Sequence, residues 1–313
     1  MTTDMNNPKK TDQLKYGIGE QRAAMLTEPS PHGTPELDSS VPGGIYLCQV
    51  DECVSCGACC GLYNVADTSR DHMTAMLAER TDQFAAVPRT TGAIDAFADR
   101  IQATQYSQRP FEQFHHCPFT GLIGPQRSRV GCLLHPMADG NQGVDFRGLS
   151  YYGGLACRTY FCPATQHLPV RYKQILRSIL REWYLYGLVV TERTLVAALF
   201  ERIEILLDRP LDLSMLRRNP TAVHRLTELL QLKTQWPYRP RAHDTLCHFF
   251  FSYPPYARPA IDYRQLGTEV SPYDTILVEL VSEFASQEDL RCAEALVDTR
   301  IKAAAAAVSV PLF

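Results

Sequence analysis

The sequence predicts a mainly α-helical protein: an irregular, metal-stabilised cysteine-rich core with few short strands, followed by a helical C-terminal region. Three observations predict it. Eight of the 11 cysteines fall between residues 53 and 162, in a stretch crowded with glycine and proline. That stretch has little hydrophobic periodicity, so something other than regular packing must hold it. After Pro163 the texture changes, and apolar residues recur at the three- and four-residue spacing of helix faces.

Residues 1–44 read as a largely irregular leader, since TEPSPHGTPELDSSVPGG offers neither strand nor helix spacing. GIYLCQV (44–50) is a short apolar run predicted to be a strand leading into the cysteines. DHMTAMLAER (71–80) and AIDAFADRIQATQ (93–105) are predicted helices, carrying Met73, Met76, Leu77, Ile94, Phe97 and Ile101 at helical spacing. RYKQILRSILREWYLYG (171–187) is predicted to be one helix, with Ile175, Ile179, Leu180 and Trp183 on its inner face and Gly187 ending it. Thr191 is the predicted cap of the next helix, which runs through Leu195, Leu199, Ile203 and Leu206 to Asp208. Asn219-Pro220 and Ser271-Pro272 are cap-then-proline starts, and Ser286 opens a last helix through Leu290, Leu296 and Ile301. The aromatic, proline-rich stretch 236–263 is predicted to be an ordered loop with a short helix. The organisation is thus a leader (1–44), a cysteine-cluster metal-binding domain (45–165) and a helical C-terminal region (166–313).

Composition narrows the function classes. A net charge of -3 over 313 residues supplies no basic face for nucleic acid. No apolar run reaches the length of about 18 residues that a membrane span requires, and the N-terminus lacks the apolar segment of a secretory signal. The expectation is a cytoplasmic protein with no nucleic-acid or membrane partner. In that reducing compartment clustered thiols are metal ligands or redox groups more often than disulfides.

The decisive stretch is CVSCGACCG (53–61), four cysteines within eight positions. Two-residue spacers let successive thiolates fold around one centre, and Gly57 and Gly61 stand where the tight turns fall. Cys59 and Cys60, being adjacent, point in different directions and serve two centres or two sides of one. HHCPF adds Cys117, RVGCLLHP adds Cys132, and ACRTYFCP adds Cys157 and Cys162. Eight thiols suffice for two tetrahedral sites or for one iron–sulfur cluster with ligands to spare. The predicted metal ligands are therefore Cys53, Cys56, Cys59, Cys60, Cys117, Cys132, Cys157 and Cys162. The C-x2-C-x2-C run with the endings Cys117-Pro118 and Cys162-Pro163 favours a four-iron cluster, and zinc stays open as the alternative.

Neighbouring residues have supporting readings. His115, His116 and His135 adjoin ligand cysteines but are read as surface or supporting groups rather than ligands. Arg127, Arg129, Arg147 and Arg158 stand close enough in sequence to offset thiolate charge, Arg158 best of all, directly after Cys157. YYGG (151–154) can shield the cluster. Cys48, Cys247 and Cys292 lie outside the motif: Cys48 is close enough to reach a metal but, in an apolar run, reads as buried, and Cys247 and Cys292, in helix-like stretches, read as small core residues.

CVSCGACCG, CPF, GCLLHP and CRTYFC together resemble the bacterial CxxCxxCC cysteine-cluster family, described as a zinc- or iron-chelating domain. The resemblance covers Cys53 to Cys162. It implies that the eight cysteines named above are the family's cysteines and that Arg158 is its Cys-Arg step. The stretch from His135 to Ala156 is longer than the family's and lacks its Arg-Pro pair, which bears on the loop rather than the ligands. Some proteins similar to this family are described as flagellin lysine N-methylases, so the resemblance implies one enzymatic alternative.

Three functions follow. The first is a metal-binding cysteine-cluster protein whose centre is structural or redox-active. The chain carries no phosphate-binding loop, no H-E-x-x-H and no G-x-S-x-G, and GIGEQR (17–22) lacks the third glycine of a dinucleotide loop. The second is a protein-modifying methylase with an accessory iron–sulfur centre, for which a polar cleft near His243, His248 and Tyr253 would speak. The radical-enzyme spacing C-x3-C-x2-C fails because Tyr63 occupies its third position. The third is a thiol redox sensor cycling Cys59 and Cys60. Composition and motifs name no catalytic residue and no particular protein partner.

Overall fold

The computed structural model of the chain describes residues 35–105, 109–112, 114–240 and 260–310. Residues 1–34, Cys247, and the stretch holding His243, His248 and Tyr253 lie outside them. Among the described residues the chain is mainly helical, with a single two-stranded sheet.

Helix α1 (Pro35–Ser39) is anchored through Asp38, whose carboxylate takes two Arg177 nitrogens at 2.8 and 2.9 Å and the Tyr46 amide at 2.9 Å. That last bond helps explain why 44–50 is not a regular strand. The chain stays extended but pairs only at one bridge, Gln49 with Ser55, because it reverses within residues 51–53. The two helices predicted from 71–80 and 93–105 form as α2 (Arg70–Ala85) and α3 (Thr91–Gln105). Their apolar stripes are buried, and Phe84, Phe97 and Phe119 pack edge-on or stacked at 5.1–6.1 Å. Against α2 lies a short antiparallel hairpin, β1 (Thr120–Ile123) and β2 (Arg129–Cys132), with Thr120 opposite Cys132 and Ile123 opposite Arg129.

After the cysteine-rich segment come α4 (Gly153–Thr159), α5 (Pro163–His167), α6 (Val170–Ile179) and α7 (Trp183–Val190). The single helix predicted for 171–187 is therefore two. Glu182 breaks it: its extended backbone leaves the helix and its carboxylate caps α7, accepting the amides of Tyr184 (3.0 Å) and Leu185 (2.6 Å). Gly187 does not end a helix but lies inside α7. Thr191 does not cap the next one either; its hydroxyl donates back to the Gly187 carbonyl at 3.3 Å, and α8 (Arg193–Leu207) starts two residues later.

Asn219 caps α9 (Pro220–Leu230) as predicted, accepting the Ala222 amide at 3.0 Å. α10 (Leu232–Gln235) follows, and α11 (Asp274–Glu279) begins past the predicted Ser271, whose hydroxyl accepts the Tyr273 amide and shapes the turn before it. Ser286 opens the long α12 (Gln287–Ser309) as expected. α12 packs on α8 and α9. Ile45, Leu47, Val50 and Val54 join the same core as the C-terminal helices, while Trp183, Tyr184 and Leu188 of α7 join Leu62, Tyr63, Met73 and Val130 in another. The cysteine segment and its flanks thus pack into two cores, both of which include residues of α7.

Candidate metal centre

The chain enters the cysteine region as an antiparallel pair of extended segments. Cys56 donates its amide to the Cys48 carbonyl at 2.8 Å, and Val50 donates to Val54 at 2.9 Å, with the Gln49–Ser55 bridge between. Cys53 sits in the turn, its amide accepted by Asp51 Oδ1 at 2.8 Å. Next, a single 3-10 turn, Ala58–Cys60, presents the vicinal cysteines. Gly61 closes it in the left-handed region at φ 69, and a Cβ there would lie 1.9 Å from the His115 carbonyl oxygen. Only glycine meets both demands. Gly57, also predicted for a turn, has φ -116; it is small because Leu62 and Val130 crowd it.

The second arm arrives at the same place. The Cys117 amide donates to the Cys60 carbonyl at 2.8 Å, and three residues on, β1 begins with Thr120, paired with Cys132. Burial, with the charges of Cys60, Cys132 and Cys157, holds the Cys117 thiol well above its ordinary pKa. Cys132 is pushed up to about 12 by burial and then by Cys60. Cys157 comes in on α4, its sulfur 3.1 Å from the Ser150 hydroxyl. Burial pushes Cys48 up to about 12, with the charges of Cys162 and Cys60 adding to the rise. Cys59 donates its S–H to Cys60, which raises Cys59 and makes Cys60 the more acidic of the pair. The buried Thr120 hydroxyl, which has no nitrogen or oxygen partner, faces Cys60 and also lowers it. Cys162 caps α5, its sulfur 3.6 Å from the Thr165 hydroxyl. The Cys56 sulfur accepts the Ala58 amide at 3.5 Å.

So the structure gathers Cys56, Cys59, Cys60, Cys117, Cys132, Cys157 and Cys162, and adds Cys48. Cys53 stands in the turn. As placed, and among the described residues, no three His, Cys, Asp or Glu side chains come close enough to share an ion. The donors fit a soft metal in kind, since thiolates select zinc, copper(I) or iron–sulfur centres.

The histidines do other work. His116 is buried with both nitrogens engaged: Nδ1–H donates to the Gly61 carbonyl at 2.7 Å and Nε2 accepts from Arg80 at 2.6 Å. The roles follow from Arg being donor-only and a carbonyl acceptor-only. Burial and then the Arg80 charge push its pKa down to about 3. His115 stacks on Tyr151 at 4.4 Å, and burial with Arg109 takes it down to about 4. His135 Nδ1 accepts the Met137 amide at 3.2 Å. Tyr152 lies within electrostatic reach of Cys60, Cys117 and Cys59, so the YYGG segment does approach the thiols. A small open cleft of about 240 Å3 adjoins, lined by Asp95, Asp99, Gln102, His115, Ser150 and Tyr151 among others.

Several working residues escaped the sequence reading. Arg80, fully buried in α2, holds Gln105 Oε1 at 2.8 Å, the Cys117 carbonyl at 3.3 Å and His116. The signal was present, because Arg80 sits on the Met73–Leu77–Phe84 stripe where an apolar residue belongs. Of the four arginines named from the sequence, Arg147 faces Cys132 and Cys157 and is held by Asp145 at 2.7 and 2.8 Å, while Arg158, the one favoured there, donates to the Gly154 carbonyl at 3.0 Å. On the other side, buried Lys173 lies near Cys162 and donates to the carbonyls of Gly43 and Thr165. Cys292 is exposed on α12 rather than in the core.

No family model, no curated protein and no solved structure matches the chain. Among the described residues no helix is long and apolar enough to cross a membrane.

Proposed function

We propose that this is a metal-binding protein of the CxxCxxCC cysteine-cluster kind, with a thiolate-ligated iron–sulfur or zinc centre that is structural or redox-active. The observation that carries the reading is convergence: thiols from separate segments (48, 56–60, 117, 132, 157 and 162) lie within electrostatic reach of one another. Thiols meant only to fill a core have no reason to gather. Cysteines from residues 53–60, with Cys117, Cys132, Cys157 and Cys162, would hold the metal. When bound it supplies a crosslink among irregular segments and, if it is an iron–sulfur cluster, an electron site. The protein's own part is to offset charge. Burial that raises the thiols disfavours their thiolate forms, so loading must release protons, and Arg147 with Lys173 supply compensating positive charge nearby.

Metal and acid-labile sulfide analysis, with a visible spectrum, on protein purified without oxygen tests this. About four irons and four sulfides per chain with brown colour mean an iron–sulfur centre. One or two zincs without colour mean a structural one. A folded chain with no metal and freely titrating thiols overturns the proposal.

A further inference from the structure

We propose that the thiols form two abutting four-cysteine centres, Cys60/Cys117/Cys132/Cys157 and Cys48/Cys56/Cys59/Cys162, in which Cys48 takes the place that spacing gives to Cys53. This rests on the metal-binding reading and assigns its ligands.

Register is the first argument. Gln49 bridges Ser55, so the next pair outward is Cys48 with Cys56, confirmed by the 2.8 Å bond from the Cys56 amide to the Cys48 carbonyl. Directly opposed residues of an antiparallel pair put their side chains on one face, with Cβ atoms about 4.5–5.5 Å apart. Cys53, by contrast, is in the turn. The C-x2-C spacing therefore pairs Cys56 with the wrong neighbour, because the chain between 48 and 56 is a hairpin and not a ligand loop.

The second argument is the different company that each member of the vicinal pair keeps, although their sulfurs stay in hydrogen-bonding contact. Cys60 is bound by its carbonyl to Cys117, whose segment runs on into the strand opposite Cys132. Cys59 has Cys48 and Cys56 within electrostatic reach. Tyr160 lies near Cys162, Cys59 and Cys48, and Tyr186 near Cys56, Cys48 and Cys162, so these four thiols share one neighbourhood. Cys117 has Cys60, Cys132 and Cys157 in its own. The groups touch at the Cys59–Cys60 step, where Cys60 also reaches Cys48.

Third, each group has a cation nearby: Arg147 beside Cys132 and Cys157, and Lys173 beside Cys162. Two tetrahedral thiolate sites, each overcharged, call for such an arrangement.

The test measures metal per chain in the full-length protein and in Cys53→Ser, Cys48→Ser and Cys117→Ser, together with iodoacetamide mapping of the folded wild type before and after chelation. Expected are a wild-type metal content for Cys53→Ser, loss of about half for Cys48→Ser, and loss of about half for Cys117→Ser. In the mapping, Cys53 is alkylated in the loaded protein while Cys48 reacts only after chelation. This arm does not depend on any variant folding. If Cys53 is protected and Cys48 reacts, or if Cys53→Ser loses metal and Cys48→Ser does not, the assignment is overturned while metal binding stands. Equal complete loss in Cys48→Ser and Cys117→Ser, both folded, shows one shared centre and overturns the division. A wild type without metal overturns both readings.

Discussion

The amide of Cys117 donates to the carbonyl of Cys60 at 2.8 Å, joining two thiol-bearing segments that lie 57 residues apart. This bond exists because the chain between Cys60 and Asn64 turns sharply enough to let residues 115–117 lie against it. Gly61 makes the turn.

Gly61→Ala is therefore expected to be severe. A left-handed alanine costs about 1–2 kcal/mol by itself, and its Cβ would also overlap the His115 carbonyl, 1.9 Å away. The loss in urea-unfolding stability should exceed the backbone cost alone, and metal bound at the proposed centre should fall with it. Unchanged stability and metal content would show that the Cys60–Cys117 contact does not organise the centre.

Gly187 is the helix-side counterpart. A Cβ at this position would stand 2.1 Å from the Tyr63 hydroxyl and 3.7 Å from the Cys56 Cα. Gly187→Ala should cost about 1–3 kcal/mol as overpacking, despite the better helix propensity of alanine. Because the contact is with the hydroxyl, adding Tyr63→Phe should recover more than half of that loss. A double-mutant cycle in urea measures it, and a coupling near zero would place the crowding elsewhere.

Arg80 tests the support of the second arm. Its guanidinium binds Gln105, His116 and the Cys117 carbonyl with the side chain fully buried. Arg80→Ala should cost on the order of 3 kcal/mol or more, since it leaves these buried acceptors unsatisfied. Arg80→Lys should recover only part of this, because an ammonium lacks the fork that spans all three. The unfolding midpoints of the two variants decide it. Equal stability to wild type would reduce Arg80 to filler.

How much of this was legible follows from the kind of signal each element uses. α2, α3, α9 and α12 were readable because each bears an apolar stripe, and three of them start on a local side-chain cap, Ser69, Asn219 or Ser286. The break at Glu182 was not, because its cap works only once the backbone has already turned extended there. Gly187 looked like a terminator, since sequence cannot show that Tyr63 will arrive against it. In the cysteine region spacing singled out candidate thiols, but the pairing of Cys48 with Cys56 depends on a reversal at residues 51–53 that no periodic pattern records. Arg80 and Lys173 are long-range charges whose partners sit on other segments, and residue type alone does not reveal such partners.

The C-terminal helices carry a pH dependence of their own. Glu204 on α8 takes Arg171 at 2.8 and 3.1 Å, the Tyr172 hydroxyl at 2.7 Å and the Leu211 amide at 2.8 Å. Burial pushes its carboxyl up, but the hydrogen bonds from Arg171, Tyr172 and Leu211 outweigh burial and hold the pKa below its ordinary value. A depressed folded pKa means that the contribution is fully present above the unfolded value, about 4.3, and is lost as pH falls through the folded one. Glu204→Gln removes the titration and keeps the shape. The variant should be less stable than wild type by about 1–2 kcal/mol at neutral pH. The two unfolding midpoints should converge as the pH is lowered through and below the ordinary glutamate range, because the protonated wild-type side chain becomes as uncharged as glutamine. A stability difference that stays constant from neutral to acid would mean that the Glu204 charge contributes nothing and that only its shape matters.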